Sequence, residues 1–287
     1  MMNSIDDIHS VGVIGAGTMG QGIAQISALA GYKTILFDIE ESALAKAVKA
    51  IEVNLDKGIE KGKVTESQKK EALSNLSQCS DLSEVKADFI IEAIVERLDV
   101  KQQLFAELER INSSGTILAS NTSSIPITQI GAKLEHSGRF VGMHFFNPAH
   151  IMKLVEVISG ASTDENTALI TKALAEKLNK TAVMAQDSPG FIVNRVARHF
   201  YVEGLKVLDE GVAKVSAIDK LMQSSGFKMG PFQLMDLIGV DTNFSVTTSM
   251  FNSFHQDSKF RPSRIQQQKV DAGHHGRKSG KGFYDYK

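Results

Sequence analysis

The chain of 287 residues is long enough for about two ordinary domains, and its 42% hydrophobic and 23% charged residues are globular usage with a sizeable core. Lys+Arg (32) and Asp+Glu (33) cancel to a net charge of -1, which excludes the broad basic surface that nucleic-acid binding uses. The single cysteine, Cys79, excludes an intramolecular disulfide and a cysteine-built metal site, and no apolar run approaches the roughly 20 residues of a membrane span. The opening MMNSIDDIHS holds two aspartates, with no Lys or Arg before Lys33, unlike a secretory signal. The expectation is a soluble, cytoplasmic protein without metal, membrane or nucleic-acid partners.

In chain order, residues 11–17 (VGVIGAG) form a short apolar strand that breaks into glycines. From Gly20 the apolar spacing turns helical and stops at Gly31, a C′ position. A second strand, Lys33–Asp38, completes a βαβ unit, which requires parallel strands and a right-handed crossover. An amphipathic helix runs from Ser42 to about Lys61, with Leu44, Ala47, Val48, Ile51, Leu55 and Ile59 on one face. Helical spacing resumes over Glu66–Leu76 and again over Val100–Ile111. Strands are expected at Phe89–Ala93, Ile117–Ser120, Phe140–Phe145, Lys153–Ile158 and Thr181–Met184, with a helix at Glu165–Leu178.

After residue 186 the texture becomes helical. Asp187-Ser188-Pro189-Gly190 reads as a capped helix start with proline in the first turn, and the helix runs to about Glu210. Further helices are expected at Val215–Ser225, Pro231–Leu237 and Thr242–Phe254, and no strand. The fold class is α/β followed by all-α: a Rossmann-like doubly wound sheet over 1–186 and a helical domain over 187–287.

Gly15-Ala16-Gly17-Thr18-Met19-Gly20 matches G-x-G-x-x-G between a strand and a helix, and Asp38 ends the next strand. Gly15 permits the tight turn, Gly17 lets the backbone approach a pyrophosphate, and Gly20 allows close helix–strand packing. The helix N-terminus offers free N–H groups to phosphates. Asp38 accepts from the ribose hydroxyls and repels a 2′-phosphate, which favours NAD over NADP. The same fingerprint also serves FAD.

In Gly142-Met143-His144-Phe145-Phe146-Asn147-Pro148, a histidine stands at the carboxyl end of a strand, where ligands of open parallel sheets bind. Glu156 lies inside the apolar strand Lys153–Ile158, and a buried carboxylate needs a partner such as a neighbouring histidine. From the residues alone, a core histidine and a surface-facing glutamate fit equally well.

VGVIGAGTMGQGIA, SNTSS at 120–124, GMHFFNP at 142–148, MKLVEV at 152–157, DSPGFIVNR at 187–195 and GRKSGKGFY at 276–284 together resemble the 3-hydroxyacyl-CoA dehydrogenase family. The likeness is strongest to its short, single-function 3-hydroxybutyryl-CoA members and spans nearly the whole chain. It implies NAD-dependent oxidation of an L-3-hydroxyacyl-CoA to the 3-ketoacyl-CoA, or the reverse, as in fatty-acid β-oxidation. It implies that His144 is the acid/base, that Glu156 orients it, and that Ser123 and Asn194 hold substrate oxygens between the domains. Ser123 and Asn147 are expected to touch the cofactor too, and Glu96 and Lys101 to contact its nicotinamide half. Lys278 would be a cofactor contact from the tail, and Asn54 and Lys61 would meet CoA, with Lys57 and Lys63 nearby. A homodimer through the helical domain is also implied, and Phe232, Leu234, Met235, Leu237 and Ile238 are apolar candidates for its interface.

Two other readings compete. The 3-hydroxyisobutyrate and 6-phosphogluconate dehydrogenases share GxGxMG and a helical second domain. They use a catalytic lysine where PGFIVNRVARHF offers Asn194. A NAD-binding, crystallin-like scaffold with incidental activity would not require His144 and Glu156.

Overall fold

A computed structural model describes residues 4–286. The first segment alternates strand and helix from the start: β1 (Ser10–Ile14), α1 (Thr18–Leu29), β2 (Lys33–Phe37), α2 (Glu41–Glu60), α3 (Glu66–Asn75) and β3 (Leu76–Cys79). It continues with β4 (Phe89–Glu92), α4 (Leu98–Ile111), β5 (Ile117–Ser120), α5 (Ile127–Gly131), β6 (Phe140–Phe145), β7 (Leu154–Ser159), α6 (Glu165–Lys177) and β8 (Thr181–Gln186).

The eight strands form one sheet in the order β3-β2-β1-β4-β5-β6-β7-β8. Strands β1 to β6 are mutually parallel where they pair, and β7 runs antiparallel to β6. Strand β8 is parallel to β7. Because β1 lies between β2 and β4, the winding reverses there, and a crevice opens at the carboxyl ends of those strands.

Strands β1, β4, β5 and β6 are almost fully buried, as expected of strands covered on both faces. Helix α2 buries Leu44, Ala47, Ile51 and Leu55 and exposes Lys46, Lys49, Glu52 and Asp56. Gly31 follows the end of α1 with φ +91°, the left-handed conformation expected at C′. Strand β3, an edge strand with the sequence LSQC, and the five-residue α5 lack the apolar periodicity that would announce them.

The chain divides into two compact units between Asp187 and Ser188. The second holds α7 (Val193–Asp209), α8 (Val215–Ser224), α9 (Pro231–Ile238), α10 (Val240–Ser253) and α11 (Arg264–Asp271). Among the described residues no strand follows Gln186, apart from isolated bridges at Gly276, Lys281 and Asp285. Its core gathers Tyr201, Leu205, Ile218, Phe232 and Met235, so two of the apolar candidates on α9 serve this unit's own interior. Leu237 and Ile238 of the same helix are exposed.

The helix expected to start within Asp187-Ser188-Pro189-Gly190 does not begin there. Gly190 and Phe191 have φ of +73° and +51°, so the chain turns before α7 starts at Val193. Asp187 instead accepts from the amides of Ile127 (3.0 Å) and Thr128 (2.8 Å), capping α5. That long-range use of a capping side chain is invisible to local spacing.

Candidate active site

The glycine turn has the geometry its sequence predicts. Gly15 has φ +102°, and a Cβ there would lie 2.8 Å from the Ala93 carbonyl oxygen. A Cβ on Gly20 would fall 1.7 Å from the Gly15 oxygen, so β1 and α1 approach only because that side chain is absent. At Gly17 an added Cβ would meet nothing within 4 Å, which leaves an open cradle before the loop. The first amides of α1 have no side-chain cap there, so they suit an anionic group.

Asp38, just beyond β2, accepts from the Ala16 amide at 2.7 Å and the Glu40 amide at 3.1 Å. Its carboxylate is thereby fixed beside the loop. Ala16 is buried, Thr18 exposed and Met19 half-buried at this turn. Open backbone, uncapped amides and an adjacent fixed carboxylate fit a dinucleotide whose ribose bears free hydroxyls.

His144 and Glu156 face each other as partners in the antiparallel β6–β7 ladder. The ring Nδ1 lies 2.8 Å from Glu156 Oε2, with both side chains buried. The carboxylate therefore fixes the ring orientation through Nδ1. Phe146 packs against the ring at 4.6 Å between centroids. Asn147 follows, exposed, before Pro148.

A second polar network lies at the ends of β4 and β5. Glu92 is fully buried and accepts from Ser120 Oγ (2.6 Å), the Ile94 amide (2.7 Å) and Lys101 Nζ (2.5 Å). Lys101, 1% exposed, also reaches Glu96 Oε2 at 3.3 Å. Glu96 Oε1 in turn accepts from Thr122 Oγ1 (2.7 Å) and from the amides of Ser123 (3.0 Å) and Ser124 (3.2 Å). Burial pushes the Glu96 carboxyl upward, but Lys101 and the bonds from Thr122 and Ser123 outweigh it and hold it below the ordinary carboxylate value. The loop bearing Ser123 is thus strapped to β4 through Glu96. Asn121 Oδ1 accepts from the Phe145 amide at 2.8 Å, tying the same loop to the end of the His144 strand.

The structure brings Ser123, Glu96 and Lys101 into one network, and His144 and Glu156 into one pair. On α2, Asn54 is half-buried, while Lys61 at the helix end and its neighbours Lys57 and Lys63 are exposed. In the second unit, Asn194 lies in the first turn of α7 and accepts from Arg198 Nη2 at 3.3 Å. Lys278 pairs with Asp241, Nζ to Oδ1 2.7 Å. The sequence motifs assign no role to Glu92, Asn121 or Arg198. Glu92 left one signal, a charge ending the apolar run Phe89-Ile90-Ile91. Among the described residues, no group of three or more His, Cys, Asp or Glu could hold a metal, and no helix is long and apolar enough to cross a membrane.

A dinucleotide cradle in the same sheet as a buried histidine–carboxylate pair fits a dinucleotide-dependent oxidoreductase. The family model of the 3-hydroxyacyl-CoA dehydrogenase NAD binding domain matches residues 10–188, and that of the 3-hydroxyacyl-CoA dehydrogenase C-terminal domain matches residues 190–286. The chain belongs to the 3-hydroxyacyl-CoA dehydrogenase family.

It is 45% identical over 282 residues to a probable 3-hydroxybutyryl-CoA dehydrogenase of Bacillus subtilis (strain 168), covering 98% of each chain. It is 44% identical over 283 residues to the 3-hydroxyadipyl-CoA dehydrogenase of Escherichia coli (strain K12), covering 98% of this chain but 60% of that relative's length. Among solved structures, the (S)-3-hydroxybutyryl-CoA dehydrogenase of Ralstonia eutropha is similar with a TM-score of 0.93 at 39% identity, covering 98% of this chain and 99% of that one.

Proposed function

We propose that the protein oxidises a short-chain L-3-hydroxyacyl-CoA to the 3-ketoacyl-CoA with NAD, and catalyses the reverse reduction with NADH. The observation that carries this reading is the buried His144–Glu156 pair at the end of β6. NAD, when bound, supplies the hydride acceptor for substrate C3. His144 takes the 3-hydroxyl proton through Nε2 during oxidation and returns it during reduction. Glu156 offsets the positive charge that the ring then carries, within a site where water offers little screening. Ser123 and Asn194 hold the substrate oxygens, and donors fixed in advance help most where negative charge develops.

Gly15, Ala16, Gly17, Thr18, Met19 and Gly20 hold the pyrophosphate side of the cofactor, and Asp38 holds its ribose hydroxyls. Glu96, Ser123 and Asn147 border its nicotinamide half, with Lys101 acting through Glu96, and Lys278 adds a contact from the second unit. Asn54 and Lys61 meet the CoA moiety, where the exposed Lys57 and Lys63 add attraction for its phosphates. The 1–186 segment is the NAD-binding domain and 187–287 the substrate and dimerisation domain. We place the protein in the cytoplasm, in keeping with the free Cys79, as a homodimer that covers the exposed Leu237 and Ile238.

The deciding experiment follows NADH absorbance with acetoacetyl-CoA as substrate. Steady, enzyme-dependent oxidation of NADH is expected, and none above background at micromolar enzyme overturns the assignment. In the forward direction, 3-hydroxybutyryl-CoA and 3-hydroxyadipyl-CoA are compared. The first should have the larger kcat/KM, and the opposite order would assign the activity in the E. coli relative's name instead.

A further inference from the structure

Arg198 sits one helical turn beyond Asn194 on α7 and is 3% exposed. Its Nη1 donates to the Asn243 carbonyl and to Thr247 Oγ1 of α10, both at 3.1 Å, and its Nη2 donates to Asn194 Oδ1 at 3.3 Å. The Thr247 hydroxyl donates to the same Asn243 carbonyl at 2.9 Å, so its lone pair is aimed at the guanidinium. Gln266 of α11 holds Asn243 from behind, Nε2 to Oδ1 2.9 Å. The Tyr201 ring lies 5.3 Å from the guanidinium carbon. No carboxylate forms an ion pair with Arg198 among the described residues, and the neighbours it touches are a carbonyl, a hydroxyl, an amide and a ring.

This is an unusual place for a cation. Burying a guanidinium without a carboxylate is costly, and burial draws its pKa down to about 10. At neutral pH it remains protonated. A guanidinium has five N–H donors and no acceptor. An asparagine amide offers an acceptor on one side and two donors on the other, so it can turn only its oxygen to Arg198. The reversed amide would set N–H against N–H in a buried place next to a positive charge.

We propose that Arg198 is a positioning residue that locks the Asn194 amide with Oδ1 toward the guanidinium and Nδ2 presented to the substrate. The substrate atom met by Asn194 is then an acceptor: the 3-oxygen, or the thioester carbonyl beside it. An unneutralised cation one turn behind the amide also polarises its N–H bonds toward an oxygen that gains negative charge as the hydroxyl proton leaves. The inference rests on the reading that Asn194 meets the substrate.

The test is a double-mutant cycle on the full-length protein, with Asn194→Ala, Arg198→Met and their combination. The readouts are kcat and KM for acetoacetyl-CoA reduction, NADH binding by fluorescence, and cooperative thermal unfolding. Asn194→Ala is expected to lower kcat/KM about 100-fold, as loss of one fixed donor does. Arg198→Met should lower it about tenfold with NADH binding unchanged, and should add less than about twofold to Asn194→Ala, because the two act through one amide. Arg198→Lys, which also only donates, should recover most of the loss. If Arg198→Met fails to unfold cooperatively, Arg198→Gln replaces it in the same cycle, with the same expectations.

A costly Asn194→Ala beside a silent Arg198→Met, or effects that multiply independently, overturns the proposal alone. A silent Asn194→Ala overturns the reading of Asn194 and the proposal with it.

Discussion

His144 and Glu156 stand directly opposite each other on the β6–β7 ladder, and their side chains meet with Nδ1 and Oε2 2.8 Å apart. This pairing exists because β7 runs antiparallel to a sheet that is parallel up to that point. Side chains directly opposite on an antiparallel pair share a face. A histidine at the end of one strand and a carboxylate near the start of the next can therefore form a buried pair. His144→Gln should lower kcat by about a thousandfold, within the range attributed to a positioned acid/base. Glu156→Gln should cost about tenfold to a hundredfold, since the ring keeps an acceptor but loses the charge that offsets its protonation. NADH binding, followed by fluorescence, should survive both changes; its loss in parallel with activity would point to misfolding.

Asp38 accepts from the Ala16 amide, and the proposed function assigns it the ribose hydroxyls. Asp38→Ala should weaken NAD binding and raise the NADP-to-NAD ratio of kcat/KM by about tenfold, since it removes two acceptors and the charge that repels a 2′-phosphate. Steady-state kinetics with both cofactors checks this, and an unchanged ratio contradicts the ribose role.

Glu92 is the fully buried carboxylate that receives Lys101, which in turn steadies Glu96 and the Ser123 loop. Glu92→Gln leaves the ammonium without its nearest counter-charge, so stability should fall by about 3 kcal/mol in urea denaturation. At a temperature where the variant is folded, KM for the acyl-CoA should rise more than the NADH dissociation constant. A variant as stable as the wild type would show that Glu96 alone suffices for Lys101.

Lys180, 9% exposed, donates to the carbonyls of Ala149 (2.6 Å) and Met152 (2.9 Å), in the segment between β6 and β7. Burial, with the nearby charge of Lys153, draws its pKa from 10.5 to about 8. Because the folded value is the lower one, the unfolded chain holds the extra proton between these limits. Stability therefore rises with pH across that window, and the cost of burying the ammonium is full below about pH 8. Relative to Lys180→Met, the wild type should gain stability between about pH 7 and about pH 10, measured by denaturation at both values. An equal difference at the two pH values sinks this account.

Most of the elements and the glycine turn are legible in the residues alone. Apolar period in α1, α2 and α4, mostly apolar runs in β1, β4 and β6, and the glycines of GAGTMG are local signals, and local signals survive in one dimension. The pairing of His144 with Glu156 is implied by the family resemblance, whereas the residues alone fit a core histidine and a surface-facing glutamate equally well. That pairing depends on the reversal of β7, which is a fact about strand order. Edge strand β3 stayed hidden because its four half-polar residues carry no alternation, and α7 begins later than expected because Gly190 and Phe191 turn left-handed first.

Where the buried charges go is not written in any local pattern. Lys101 and Lys278 look alike in sequence, two lysines among polar neighbours. One is closed into a carboxylate network, and the other is half-exposed beside Asp241. Arg198 lies between apolar helix positions with nothing local to show that α10 would provide its acceptors. A buried ion is tolerated only when distant segments supply partners. Which segments those are is settled by packing.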